Sequence, residues 1–507
     1  MSGPSRRLAT PLFLAGVTLL YLSFSPLSEE GMGYIGEEMT ACRQIEGKLL
    51  GHGDAIQWPR NGAVGLLFQC PFMAAGDLVL GKSTGAEDRG IALQPVLATA
   101  LLVTLIFLWG SRLAGSRAWG FVLALAAGFA TLLWPYAYIG LETTQSLFLL
   151  LAGYLALNPS GSRSWPRAML FAVSAAVTIS AKSGGVLLVP AVAYLTWCYF
   201  RDQAIGPGKT PTRAQKAAVI LLVAAVFLAN AWIRGLAWER FGGTVHFASW
   251  WLVHDPVSPV LHFLAFFASP NKGLFVYAPL TLLALFAIPR AAAVDRRVAV
   301  FALLTLLGFA GSLVFLEMWA DETWGPRYLH SAIAPLALCL AASRRDRVLG
   351  LRKEAPLAVA VVLGLLVSFL GACFYYGSLM NIAARTRPLT MESLQGDLTW
   401  NHIRLNARLL GVWLSRRGSD DPPQYLRAPR LWDFRNPQWQ QTWNKVDLRP
   451  FSEPQPLLLR LPVSPRGRWI RRALGACGLA GILCLIWVWL TVAPSRATIP
   501  ARTALEA

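Results

Sequence analysis

Residues 91–110 read IALQPVLATALLVTLIFLWG, twenty positions without one Asp, Glu, Lys or Arg. Coiled as an α-helix this run is about 30 Å long, the thickness of a bilayer's hydrocarbon core. A helix satisfies its own backbone there, whereas an open strand edge cannot. The same reading recurs at 8–27, 118–136, 139–157, 167–181, 184–200, 217–236, 273–289, 298–317, 328–342, 356–376 and 469–492. Mean hydropathy is +0.47 and charged residues make up 14% of the chain, against roughly 25% in soluble domains. These features predict an all-α polytopic membrane protein with about twelve transmembrane helices. Several runs are short, so tilted or broken helices are expected.

Lys and Arg set the orientation, because cytoplasmic loops near span ends are enriched in them. Arg6 and Arg7, Arg112 and Arg117, Arg163 and Arg167, Arg201 to Lys216, Arg290 with Arg296 and Arg297, and Arg344 to Lys353 all fall on one side. The opposite short loops hold little beyond Lys182, Arg240, Lys272 and Arg327. Arg466, Arg468, Arg471 and Arg472 precede the last span on the outer side, where a long translocated loop escapes the rule. The net charge of +19 is spread over loops instead of forming one basic stripe, so membrane lipids and topology account for it and nucleic acid does not. The N-terminal run, with Pro26 after its small residues, reads as a retained anchor.

The chain divides into a transmembrane core over 1–376, with a first external loop at 28–90. An external cap follows over 377–468, then a last helix and cytoplasmic tail over 469–507. In the first loop, 37–50 reads as an amphipathic helix with Glu38, Cys42, Ile45 and Leu49 on one face, lying along the membrane surface. Glu37 and Glu38 then stand at the positive end of its dipole. The apolar piece 62–81, interrupted by Pro71 and Asp77, reads as interfacial or re-entrant. Cys42 and Cys70 share this loop: a disulfide is open to them, and two unpaired packing cysteines are expected. His246, His254 and His262 have no metal-ligand spacing and read as separately solvated or hydrogen-bonded. The cap is rich in Trp, with a helix expected near 393–413 and a strand-like run at 457–463.

Four stretches carry a family resemblance: GEE at Gly36–Glu38, NGAVGLLFQCPF from Asn61, SPNKGLFVYAP from Ser269 and WGPRYL from Trp324. In order and sidedness they resemble the GT-C superfamily of glycosyltransferases. The likeness extends to bacterial members related to the dolichyl-phosphate-mannose protein mannosyltransferases and the lipid A aminoarabinose transferases. It implies a GT-C-like fold and a transferase of the bacterial inner (plasma) membrane, working on the periplasmic, extracytoplasmic face. The implied donor is a polyprenyl-phosphate-linked sugar, and the acceptor a hydroxyl or phosphate on a glycan, lipid or protein. The family's first-loop acidic pair begins with Asp; Glu37 takes that place and Glu38 follows. Either of the two is open to be the base. Glu142, in GLETTQ, matches the setting of a second family acid.

The reaction sets what else is needed. An acceptor attacking the sugar's anomeric carbon passes through an oxocarbenium-like state and must lose a proton, which a carboxylate takes as general base, with inversion. The departing lipid phosphate gains charge, so cations must stand near it. Lys182, Lys272, Arg327 and His330 are the candidates for that phosphate, while Asp321 and Glu322 read as structural partners of Arg327. No phosphate loop, GxGxxG after a strand or Asp-x-Asp occurs, which leaves a cytosolic nucleotide site without support. No cofactor is expected; a divalent cation on Glu37, Glu38 and Glu142 is chemically open but not favoured. A twelve-span transporter and a non-catalytic lipid-glycan assembly component are the alternatives. The first would place its acids near the midplane, and the second would tolerate their loss.

Overall fold

The computed structural model describes residues 4–25, 36–49, 56–59, 61–80, 86–138, 142–158, 164–201, 211–239, 257–315, 324–345, 354–374, 401–415 and 465–493. Among them the regular structure is helical. In chain order the helices are α1 (Pro4–Ser23), α2 (Gly36–Leu49), α3 (Leu66–Leu80), α4 (Ala86–Leu113), α5 (Arg117–Phe129), α6 (Leu133–Tyr136), α7 (Glu142–Leu157), α8 (Trp165–Ser180), α9 (Val189–Arg201) and α10 (Arg213–Glu239). They continue as α11 (Ser258–Ala268), α12 (Leu274–Tyr277), α13 (Leu280–Leu313), α14 (His330–Ala342), α15 (Ala355–Cys373), α16 (His402–Ser415) and α17 (Pro465–Val492). Short 3-10 turns at Ser183–Leu188 and Arg327–Leu329 lead into α9 and α14.

Among the described residues six helices are long and apolar enough to cross a membrane, and six shorter ones are apolar. The polytopic helical fold therefore stands, and its broken spans have local causes. The run expected as one span at 118–136 is α5 and α6, parted at Ala130–Leu132. Thr131 donates back to the Ala127 carbonyl at 2.5 Å, and the Leu133 amide donates to its hydroxyl at 3.2 Å, so the side chain competes with the helix ladder. Helix α15 crosses at this break. A Cβ on Gly364 would lie 2.1 Å from the Ala130 carbonyl oxygen, so only glycine admits the approach. The two runs expected at 273–289 and 298–317 correspond chiefly to α13, two helices joined at Asp295, whose backbone leaves the helical region (φ −149°, ψ 96°). Its carboxylate accepts from the Arg297 amide at 3.0 Å.

The bundle closes by pairing its first and last helices. Gly16 and Gly481 face each other where α1 crosses α17: a Cβ on Gly481 would stand 2.8 Å from the Gly16 carbonyl oxygen. Deeper in, the Tyr21 hydroxyl donates to the Gly128 carbonyl at 2.7 Å and ties α1 to α5.

The first loop departs from expectation in three ways. Helix α2 turns part of its apolar stripe into the protein: Ala41 and Cys42 are buried against Leu66, Met73 and Ile91, while Leu49 is exposed. Cys42 and Cys70 are joined in a disulfide, with Cα atoms 5.2 Å apart, contrary to the unpaired cysteines expected. The packing of α2 on α3 brings them together, which their spacing in the chain could not reveal. Finally, Pro71 lies inside a continuous α3, and Asp77 is paired: Arg43 donates to both its carboxylate oxygens at 2.5 and 3.1 Å. At 15 residues α3 spans about 22 Å, short of a full crossing.

Of the cap, α16 is described. It starts later than the helix expected near 393–413, and Asn406 docks it by donating to the Leu370 and Phe374 carbonyls at the end of α15, at 3.0 and 3.2 Å. The strand-like run expected at 457–463 lies outside the described residues.

Candidate functional site

Glu142 opens α7, with its carboxylate buried at the helix's positive end. Lys182 leaves the end of α8 in extended conformation (φ −139°, ψ 154°), and this turns its side chain back to α7. There its ammonium donates to Glu142 Oε1. Arg327 Nε stands 3.4 Å from the same oxygen. Side-chain exposures of 12% for Lys182, 16% for Arg327 and 8% for Glu142 mark this as a charge cluster largely withdrawn from solvent. Two cations thus share one carboxylate oxygen.

The ring of Tyr328 faces both of them: Lys182 Nζ is 5.5 Å and Arg327 Cζ 5.2 Å from its centroid. Such cation–π contacts add to the attraction in a desolvated site. The 3-10 turn explains the gathering, since side chains three apart eclipse in it and Arg327 and His330 are so spaced. Its entrance is set by Gly325, in the left-handed region (φ +59°), which drives Trp324 into a slot. Trp324 packs edge-on to Tyr277, and its carbonyl accepts from the Tyr136 hydroxyl at 2.8 Å.

Behind the charges lies a hydroxyl network. Ser146 Oγ is 2.8 Å from the Glu142 carbonyl, 2.8 Å from His330 Nδ1 and 3.0 Å from Ser331 Oγ. A hydroxyl has one proton. If Ser146 donates it to the carbonyl, His330 and Ser331 donate to Ser146 and the second ring nitrogen of a neutral His330 is an acceptor.

Glu142, Lys182, Arg327 and His330 are therefore brought together. Lys272 belongs to a second buried cluster: it is 1% exposed, with Asn271, Asn401 and His402 around it. Asn401 donates to the Pro270 carbonyl at 2.7 Å and to Asn271 Oδ1 at 3.2 Å, and His402 stacks on Trp324 at 6.0 Å. Burial, and then the charge of Lys272, pushes the His402 imidazole well below its ordinary value. Glu37 and Glu38 sit in the first turn of α2, their side chains outside what is described. Asp321 and Glu322, expected as partners of Arg327, are likewise outside the described residues, as are His246 and His254. His262 is hydrogen-bonded, its Nδ1 2.9 Å from the Val314 carbonyl.

Tyr328, Ser146, Ser331 and His402 escaped the sequence reading. Tyr328 and His330 flank Leu329 in WGPRYLH, and the i, i+3 spacing of Arg327 and His330 was the available signal. Among the described residues no three His, Cys, Asp or Glu side chains group as metal ligands.

No family model matches the chain, and no curated protein does. Among solved structures the chain resembles that of ArnT from Cupriavidus metallidurans bound to undecaprenyl phosphate. Identity is 12% and the TM-score 0.47, over 95% of this chain and 78% of that one.

Proposed function

We propose that this chain is a membrane glycosyltransferase of the GT-C kind, moving a sugar from a polyprenyl-phosphate donor to a hydroxyl or phosphate acceptor at the extracytoplasmic face. The observation that carries the reading is the cluster in which Lys182 and Arg327 converge on Glu142. Among the described residues an ammonium and a guanidinium stand together at this site, and such a pair suits phosphate oxygens. The Cys42–Cys70 disulfide supports an oxidising, extracytoplasmic setting for the first loop, as does the placement of basic loops at the other ends of the spans.

The acceptor oxygen attacks the anomeric carbon as the bond from that carbon to the phosphate oxygen breaks. The bonding electron pair leaves on the lipid phosphate, and Lys182 and Arg327 stabilise the charge it gains. Attack from the opposite face inverts the centre. Since both cations engage Glu142 Oε1, this carboxylate orders them, and the acceptor's proton passes to Glu37 or Glu38. Lys272 stays in its own buried cluster with His402; His330 borders the phosphate through the Ser146 network.

The test uses the full chain in lipid nanodiscs, with undecaprenyl phosphate for binding and a panel of polyprenyl-phosphate hexoses for turnover. Arg327→Ala and Lys182→Met should weaken undecaprenyl phosphate binding. Either Glu37→Gln or Glu38→Gln should leave binding intact and lower turnover by about 10²- to 10⁴-fold. Unchanged binding in both cation variants would overturn the proposal.

A further inference from the structure

Helix α10 is an unlikely carrier of polar side chains. Leu221, Leu228 and Trp232 are exposed along it, as befits a helix turned to lipid. Polar and ionisable groups at that depth are costly unless they find partners inside the protein. Asn230 and Arg234 on the same helix find theirs in main chain. Asn230 Nδ2 donates to the Ser180 carbonyl at 2.8 Å, and its Oδ1 accepts from the Val64 amide at 3.2 Å. Arg234 donates to the Ser180 carbonyl at 2.9 Å and to the Asn61 carbonyl at 3.0 Å. Gly62 makes room: it holds φ +83°, and a Cβ there would stand 2.4 Å from Asn230 Oδ1.

Ser180 ends α8, two residues before Lys182. The last carbonyls of a helix lack intrahelical donors, and together they present about half a negative charge. Here the Val177 carbonyl takes the Ala181 amide at 2.8 Å, the Thr178 carbonyl takes Gln145 at 2.9 Å, and the Ser180 carbonyl takes both side chains from α10. An uncapped helix end beside Lys182 would repel a phosphate; the Arg234 guanidinium offsets that charge. The same two side chains pin the Asn61–Val64 segment of the first loop against Val177 and Ala181.

We infer that Asn230 and Arg234 are positioning residues: they cap α8 with donors from a lipid-facing helix and clamp the first loop to it, so that Lys182 meets an anionic headgroup in one geometry. The inference rests on the phosphate-binding reading of Lys182 given above.

The experiment uses the full chain in nanodiscs with two readouts. One is the affinity for undecaprenyl phosphate; the other is maleimide labelling at Val64→Cys, a position buried in the clamped loop. Arg234→Met should lower affinity about tenfold, the scale of losing a hydrogen bond from a charged group, and Asn230→Leu somewhat less, its bonds being neutral; each should open Val64→Cys to label. Arg234→Lys, which keeps the charge and a donor, should recover much of both. Trp232→Leu, on the lipid side, should change neither. If Arg234→Met yields no folded protein, Arg234→Lys must show an intermediate loss in both readouts. Wild-type affinity and protection in all three clamp variants, alongside a loss in Lys182→Met, would overturn the clamp and leave the proposed function standing. Unchanged affinity in Lys182→Met would overturn the phosphate reading of Lys182 instead, and the clamp then stands or falls on labelling.

Discussion

Glu142 has to serve two cations at once, and this decides what its removal does. Taking away one member of a buried ion cluster leaves charge without compensation, at a cost of several kcal/mol. Glu142→Gln removes the carboxylate that Lys182 and Arg327 share and should destabilise the protein by about 3 kcal/mol or more, measured by denaturant unfolding in micelles. Lys182→Met should cost less, because Arg327 keeps Glu142 company. The double variant should cost less than the sum of the two, since they share one network. Lys182, Arg327 and His330 drew attention in the sequence because ionisable residues are rare in so apolar a chain, and Glu142 did so through the family resemblance; that they lie together is a fact of the fold. Ser146, Ser331 and Tyr328 did not stand out. Hydroxyls and aromatics are common in membrane helices, and nothing local separates a network member from a packing residue.

The helices were legible wherever hydrophobicity ran long: the bend at Asp295 in α13 falls between the runs expected at 273–289 and 298–317. The run at 118–136 read as one span, and Thr131 parts it into α5 and α6. In α3 the opposite happened: Pro71 and Asp77 left a single helix, because Arg43 from α2 pairs with the carboxylate. Helix contacts in a membrane depend on close approach of small residues, and the α1–α17 crossing tests this. Gly481→Val would drive its side chain toward the Gly16 carbonyl and Leu20. The expected cost is about 1 to 3 kcal/mol of overpacking, seen as a lower thermal midpoint. Gly235→Ala, where a Cβ meets open space, should be neutral or stabilising by up to about 1 kcal/mol.

For the whole molecule, the first loop is a unit of its own, held by the Cys42–Cys70 bond, the Arg43–Asp77 pair and the clamp from α10. The bond closes a loop of sequence separation 28, for which chain entropy predicts about 3 to 4 kcal/mol. Cys42→Ser should therefore make residues 28–90 sensitive to protease while the helical bundle stays protected; equal protection in variant and parent would show that the bond contributes nothing there. By itself the sequence determined the class of molecule and its long apolar helices, since transfer of each side chain into hydrocarbon is a local free energy that adds along the chain. Tertiary structure alone decided that Cys42 meets Cys70, that Lys182 meets Glu142 across 40 residues, and that Ser146 meets His330 across 184. Contacts of that range follow from how helices pack against one another, and packing depends on the shape of every neighbour at once.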